Sequence, residues 1–145
     1  MIAKTPMTAL ELLGQTLGET SGVAFAVLIG SRNNRTAGDG SDWDIAILWK
    51  SACNPGDSAA PTPANASFAR LGEHEALRRR LAQCLNVPVE KIDLIDLNSA
   101  RLAMKAVVVE EGSIVSLRDE LAWARFQTAT WRELEDHYWD LAHAA

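Results

Sequence analysis

Helix-like and strand-like hydrophobic patterns alternate along this chain. From Thr8 the segment TALELLGQTLGET places Leu12, Leu13 and Leu17 at helical spacing, with Glu11 three positions after Thr8 as in a capping box. A first helix is expected over about residues 8–19. GVAFAVLIG, ending at Gly30, is a continuous apolar run stopped by glycine, the pattern of a strand covered on both faces. WDIAILWK, from Trp43, is a second such run. Residues 51–66, SACNPGDSAAPTPANA, are rich in Ala, Pro and Ser and nearly uncharged, so they have little to bury and read as a mobile loop.

SFARLGEHEALRRRLAQCLN returns to helical spacing, gathering Leu77, Leu81, Cys84 and Leu85 along one side. EKIDLIDLN reads as a third strand. SARLAMKAVVVEEG reads as a helix with Ser99 as N-cap and Gly112 as its stop, although Val107 to Val109 suit a strand equally. SIVSL follows as a short edge strand, and residues 118–142 as a long C-terminal helix. A few buried strands among helices predict an α/β (α+β) fold, one small mixed β-sheet with helices packed on it. At 145 residues the chain fits a single domain, 1–145.

Charge narrows the functional classes. A net charge of −5 argues against a surface that grips nucleic acid through many phosphate contacts. The one basic cluster, Arg78 to Arg80, points in three directions on a helix and reads as a solvated, ion-paired face. The N-terminus has no long apolar run and carries Glu11 and Glu19, so neither a signal peptide nor a membrane span is expected, and the expected location is cytoplasmic. Cys53 and Cys84 lack the spacing of a zinc site and read as free thiols, Cys84 buried. His74, His137 and His143 are scattered and read as solvated or helix-end residues without a catalytic role.

Candidate chemistry concentrates in GSRNNRTAGDGSDWDIAIL, Gly30 to Leu48. Strand alternation sends Asp42, Asp44, Ala46 and Leu48 to one face and Trp43, Ile45, Ile47 and Trp49 to the other. Two carboxylates so close repel unless a cation lies between them, and hard oxygen ligands suit Mg2+. The plainer alternative is an Asp-rich turn held by its own backbone hydrogen bonds. Gly30 lets a phosphate approach the backbone without a Cβ in the way, and Ser31 carries a hydroxyl donor.

Gly30-Ser31, ten residues, then Asp42-x-Asp44 resembles the GS-x10-DxD signature of the DNA polymerase β-like nucleotidyltransferase superfamily. SDWDIAIL resembles the SDxDLAV form of its minimal members, and KIDLIDLNSA is similar to the VDLVDL segment that carries a third metal-binding carboxylate. Short length, strand order and a long last helix are similar to the MNT antitoxins of HEPN/MNT toxin–antitoxin pairs, over most of residues 8–117. Asp93 matches the third carboxylate by its place in IDL; Asp96, three residues on, would face the other side of a regular strand. Arg35, where many members have glycine, and Trp43 between the acids depart from the pattern.

The resemblance implies a polymerase β-like fold with two Mg2+ ions held by Asp42, Asp44 and Asp93, and with Gly30, Ser31 and Arg32 against the phosphates of ATP. It also implies the activity, transfer of AMP from ATP to a tyrosine of a cognate HEPN RNase toxin. Two other readings stand beside it: an antitoxin acting by binding only, and a nucleotidyltransferase acting on a small-molecule hydroxyl. On the C-terminal helix, Leu121, Trp123, Ala124, Trp131, Leu134, Tyr138, Trp139 and Leu141 spread over roughly half the circumference, wider than the ~100° stripe of a helix packed on one core. Such width suits a second contact, with a toxin or another copy; the alternative is that the aromatics cap the sheet.

Overall fold

The computed structural model describes residues 8–30, 42–50 and 63–144, with 63–70 described as backbone only. Helix α1, Ala9–Glu19, opens on the capping box: Thr8 Oγ1 accepts from the Glu11 N–H at 3.2 Å and Glu11 Oε2 from the Thr8 N–H at 3.1 Å. Strand β1, Val23–Ile29, is buried at every position, as its unbroken apolar run requires. It pairs antiparallel with β2, Trp43–Trp49. Helix α2 spans Pro63–Leu85, so residues 63–66, expected in the loop, are helical, while residues 51–62 of that loop lie outside the described residues. Proline at the first helical position needs no N–H partner and already has helical φ, which makes Pro63 a start signal.

A 3-10 turn, Val89–Lys91, leads into β3, Ile92–Asp96, which runs parallel to β2. Helix α3, Leu102–Glu111, is followed by β4, Ser113–Leu117, and α4, Glu120–His143. The sheet is mixed, in the order β3-β2-β1-β4, with β4 on an edge as expected. Arg101, not Ser99, occupies the N-cap of α3 and makes no side-chain capping bond. Ser99 is instead used by the turn after β3, donating its N–H to the Asp96 carbonyl at 3.3 Å. Val107 to Val109 stay helical because Val108 is fully buried against the sheet, and burial outweighs a weak local preference. A Cβ on Gly112 would collide with the Val27 side chain and the Val108 carbonyl, so only glycine lets α3 turn into β4 here.

Strand alternation divides the core into two layers. Trp43, Ile45, Ile47 and Trp49 pack with Leu13 and Leu17 of α1 and Leu77 and Leu81 of α2. On the opposite face Val27, Ile29, Ala46 and Leu97 meet Val108 of α3, and Trp123 and Phe126 of α4 close on Phe25 at ring separations of 4.9 and 5.4 Å. His74 is half-buried with both ring nitrogens hydrogen-bonded, rather than solvated. Its Nδ1 accepts the Trp49 indole N–H at 3.2 Å, which leaves Nε2 to donate to the Leu94 carbonyl at 3.0 Å. Cys84 is half-buried, 3.0 Å from the Thr16 hydroxyl, and Cys53 lies outside the described residues. The arginine cluster is ion-paired: Arg78 and Arg79 with Glu75, Arg80 with Glu19.

Candidate active site

Asp44 enters the sheet near the start of β2, between the end of β1 and the start of β3. Its register partners are Ile29 on one side and Asp93 on the other. Partners across a ladder project to the same face, so Asp44 and Asp93 stand side by side on the face that α3 and α4 cover further along the strands. Burial, then the charges of Asp93 and Asp42, hold the Asp44 carboxyl above its ordinary range. Two carboxylates in this arrangement require a shared proton or a cation.

Gly30 closes the site from β1. Its φ of +78° is left-handed, and a Cβ there would collide with Oδ2 of Asp44, so glycine alone lets the chain turn directly over this carboxylate. Ser31, Arg32 and Arg35 lie outside the described residues. Asp42 is more exposed than Asp44 and leans the other way, its Oδ1 3.6 Å from Nζ of Lys91. Lys91 was not singled out from the sequence; its one signal is that it precedes Asp93 by two residues and therefore shares its face. Asp96 pairs with Ile47, on the opposite face, and its Oδ1 accepts the Asn98 N–H at 2.9 Å in a turn. The structure thus brings Asp93, and not Asp96, to Asp44.

The donor set is carboxylate oxygen throughout, the chemistry that suits a hard divalent ion such as Mg2+. Asp44 and Asp93 already form a two-sided seat, and Asp42, on an exposed side chain, lies on the same edge. Among the described residues no three His, Cys, Asp or Glu side chains are gathered into a closed metal site. The acids fit a metal as a formed pair with a third arm beside it.

The family described as "Polymerase beta, Nucleotidyltransferase" matches residues 11–121. The chain belongs to this nucleotidyltransferase family. The match takes in every strand of the sheet, the acids and Gly30, and stops at the start of α4. Solved structures extend the likeness in fold over the last helix. One is a chain of a toxin–antitoxin complex with AMP-PNP, 20% identical, with a TM-score of 0.57, covering 94% of this chain and 96% of that one. A second, from the MntA–HepT toxin–antitoxin complex, is 21% identical with a TM-score of 0.53 over 92% and 93%. A third, from a tri-AMPylated Shewanella oneidensis HEPN toxin in complex with its MNT antitoxin, is 20% identical with a TM-score of 0.51 over 92% and 88%. Comparison with curated proteins gave no match. Among the described residues no helix of this nucleotidyltransferase is long and apolar enough to cross a membrane.

Proposed function

We propose that this chain is an MNT-type antitoxin that neutralises a cognate HEPN RNase toxin in the cytoplasm by transferring AMP from ATP to one of its tyrosines. The observation that carries the enzymatic half is the Asp44–Asp93 pair under Gly30, in a chain of the nucleotidyltransferase family. The likeness in fold to chains of toxin–antitoxin complexes, one with AMP-PNP and one with an AMPylated toxin, supports the choice of partner and nucleotide.

In this reading Asp42, Asp44 and Asp93 hold Mg2+, and Gly30, Ser31 and Arg32 receive the triphosphate. Mg2+, when bound, would neutralise the acids and polarise the α-phosphate of the nucleotidyl group, whose bond to the β-phosphate breaks as the acceptor hydroxyl bonds to it, with pyrophosphate leaving. Asp44, held between two strands, is the fixed member of the set. Asp93 is solvent-exposed and on an edge strand, where an incoming hydroxyl can reach it and give up its proton. The absence of a Cβ at Gly30 makes room for the Asp44 carboxylate directly against the turn that ends β1. The acceptor is brought by the partner. Trp131, Tyr138, Trp139 and Leu141 remain exposed on α4, aromatic and apolar groups of the kind that anchor protein interfaces, whereas Trp123 is spent on the core against Phe25.

The test is intact mass spectrometry of the toxin encoded beside this chain, after incubation with the antitoxin, Mg2+ and each nucleoside triphosphate. A mass gain of one or more nucleotidyl groups, lost in Asp42→Asn/Asp44→Asn, is the expected result. The second reading, an antitoxin acting by binding only, draws on Asp42 leaning to Lys91 rather than completing a three-acid cluster. A stable complex without any mass gain selects it.

A further inference from the structure

The acids of the site do not stand alone: the β2–β3 ladder places a lysine among them. Asp44 pairs with Asp93, and just before the two strands begin Asp42 meets Lys91, with Nζ 3.6 Å from Oδ1. At this end of the sheet the Asp44–Asp93 pair thus has an Asp42–Lys91 ion pair beside it. Lys91 is not placed by a flexible loop. It ends the 3-10 turn, its N–H donates to the Pro88 carbonyl at 2.9 Å, and the next residue, Ile92, is buried and paired with Trp43.

We propose that Lys91 is a resident counter-ion of the site, which a divalent cation must displace from Asp42, so that it weakens binding of free metal. The inference rests on the metal-dependent reading given above. Asp42 cannot turn fully toward Asp44 and Asp93 while its carboxylate is drawn to the ammonium. An ion seated among the acids also lies close enough to the ammonium to be repelled by it. Both effects act in the same direction. The side chains of Lys91 and Asp42 are 41% and 60% exposed, so the pair is solvent-screened and readily broken, and its effect on metal affinity is about two- to fivefold.

The experiment titrates the full-length chain with Mn2+ alone, without nucleotide, following bound metal by electron paramagnetic resonance at low ionic strength. Lys91→Met binds Mn2+ about two- to fivefold more tightly than the parent, and Lys91→Arg, which keeps the charge, returns to the parent value. The difference between Lys91→Met and the parent shrinks in high salt, where screening shortens from about 30 Å at 0.01 M to about 3 Å at 1 M. In an Asp42→Asn background Lys91→Met keeps only the part of its effect that comes from direct repulsion of the ion, because the ion pair is already gone. Lys91→Met binding no tighter than a parent that does bind Mn2+ overturns the role of Lys91 and leaves the proposed function standing. A folded parent that binds no Mn2+ overturns the metal-dependent reading, and this inference with it.

Discussion

Asp44→Asn should make the metal-free protein more stable at neutral pH, although it removes a residue from the heart of the site. The two side chains have nearly the same volume, and the amide can donate to Asp93, replacing repulsion between acids by a hydrogen bond. Adjacent strands lie ~4.8 Å apart, and like charges at that separation repel by about 0.9 kcal/mol in bulk water and by about 3.5 kcal/mol at an effective dielectric of 20. Asp93 is exposed, so the solvent-side value governs and the gain is about 1 kcal/mol. For a domain of this size that corresponds to a melting point higher by about 2–4 °C. The sign follows from the raised Asp44 carboxyl: its protonated form favours the fold, and that stability is lost as pH rises through the folded value. The advantage of the amide is therefore largest at neutral pH and disappears below about pH 3.9, where the parent carboxyl is protonated in both states. Thermal melts in EDTA across this range read it directly. Saturating Mg2+ with ATP should reverse the order, since ligand at 100 times its Kd adds about 2.7 kcal/mol to the parent alone. A variant less stable than the parent in EDTA at neutral pH, or an advantage that persists unchanged into acid, refutes the reasoning.

Gly30→Ala should lower both the melting point and transfer activity, because alanine pays about 1–2 kcal/mol for a left-handed φ and pushes Asp44 aside; melts and mass spectrometry of the toxin read the two effects. Asp93→Asn should abolish transfer while Asp96→Asn leaves it nearly intact, since Asp96 faces the other side and holds a turn; parallel transfer assays decide, and equal loss would undo the assignment. His74→Ala should cost about 1–3 kcal/mol in urea unfolding by leaving the Trp49 N–H and the Leu94 carbonyl without their shared partner. Tyr138→Ala/Trp139→Ala should leave the melting point within about 2 °C, because both rings are exposed, yet weaken toxin binding at least tenfold by calorimetry.

What could be read from the residues follows from how local each signal is. Thr8 and Glu11 speak to each other within one turn, and β1 was visible because a strand buried on both faces has no polar position to hide it. The faces of β2 were equally plain: one parity carries Trp43, Ile45, Ile47 and Trp49 into the first core layer, the other carries Asp44 to the sheet end above Ala46. The same parity separates Asp93 from Asp96. The features that stayed hidden depend on partners far along the chain. His74 is tied to Trp49 and Leu94 only because α2 packs across β2 and β3, and Ser99 yields the cap of α3 because the turn after β3 takes it first.

Lys91 is the sharpest case of such dependence. Nothing around it differs from an ordinary surface lysine, and its meaning comes from the parallel, in-register pairing of β3 with β2. A shift of that register by one residue would turn Lys91 and Asp93 together to the other face, leaving Asp44 with neither its acidic neighbour nor the nearby cation. The pairing is held by apolar residues, Ile92 and Leu94 in the same layer as Trp43 and Ile45. The chemistry of the site is thus positioned by the alternate residues of the same two strands, whose burial fixes the register that sets Asp44 beside Asp93 and the Asp42–Lys91 pair next to them.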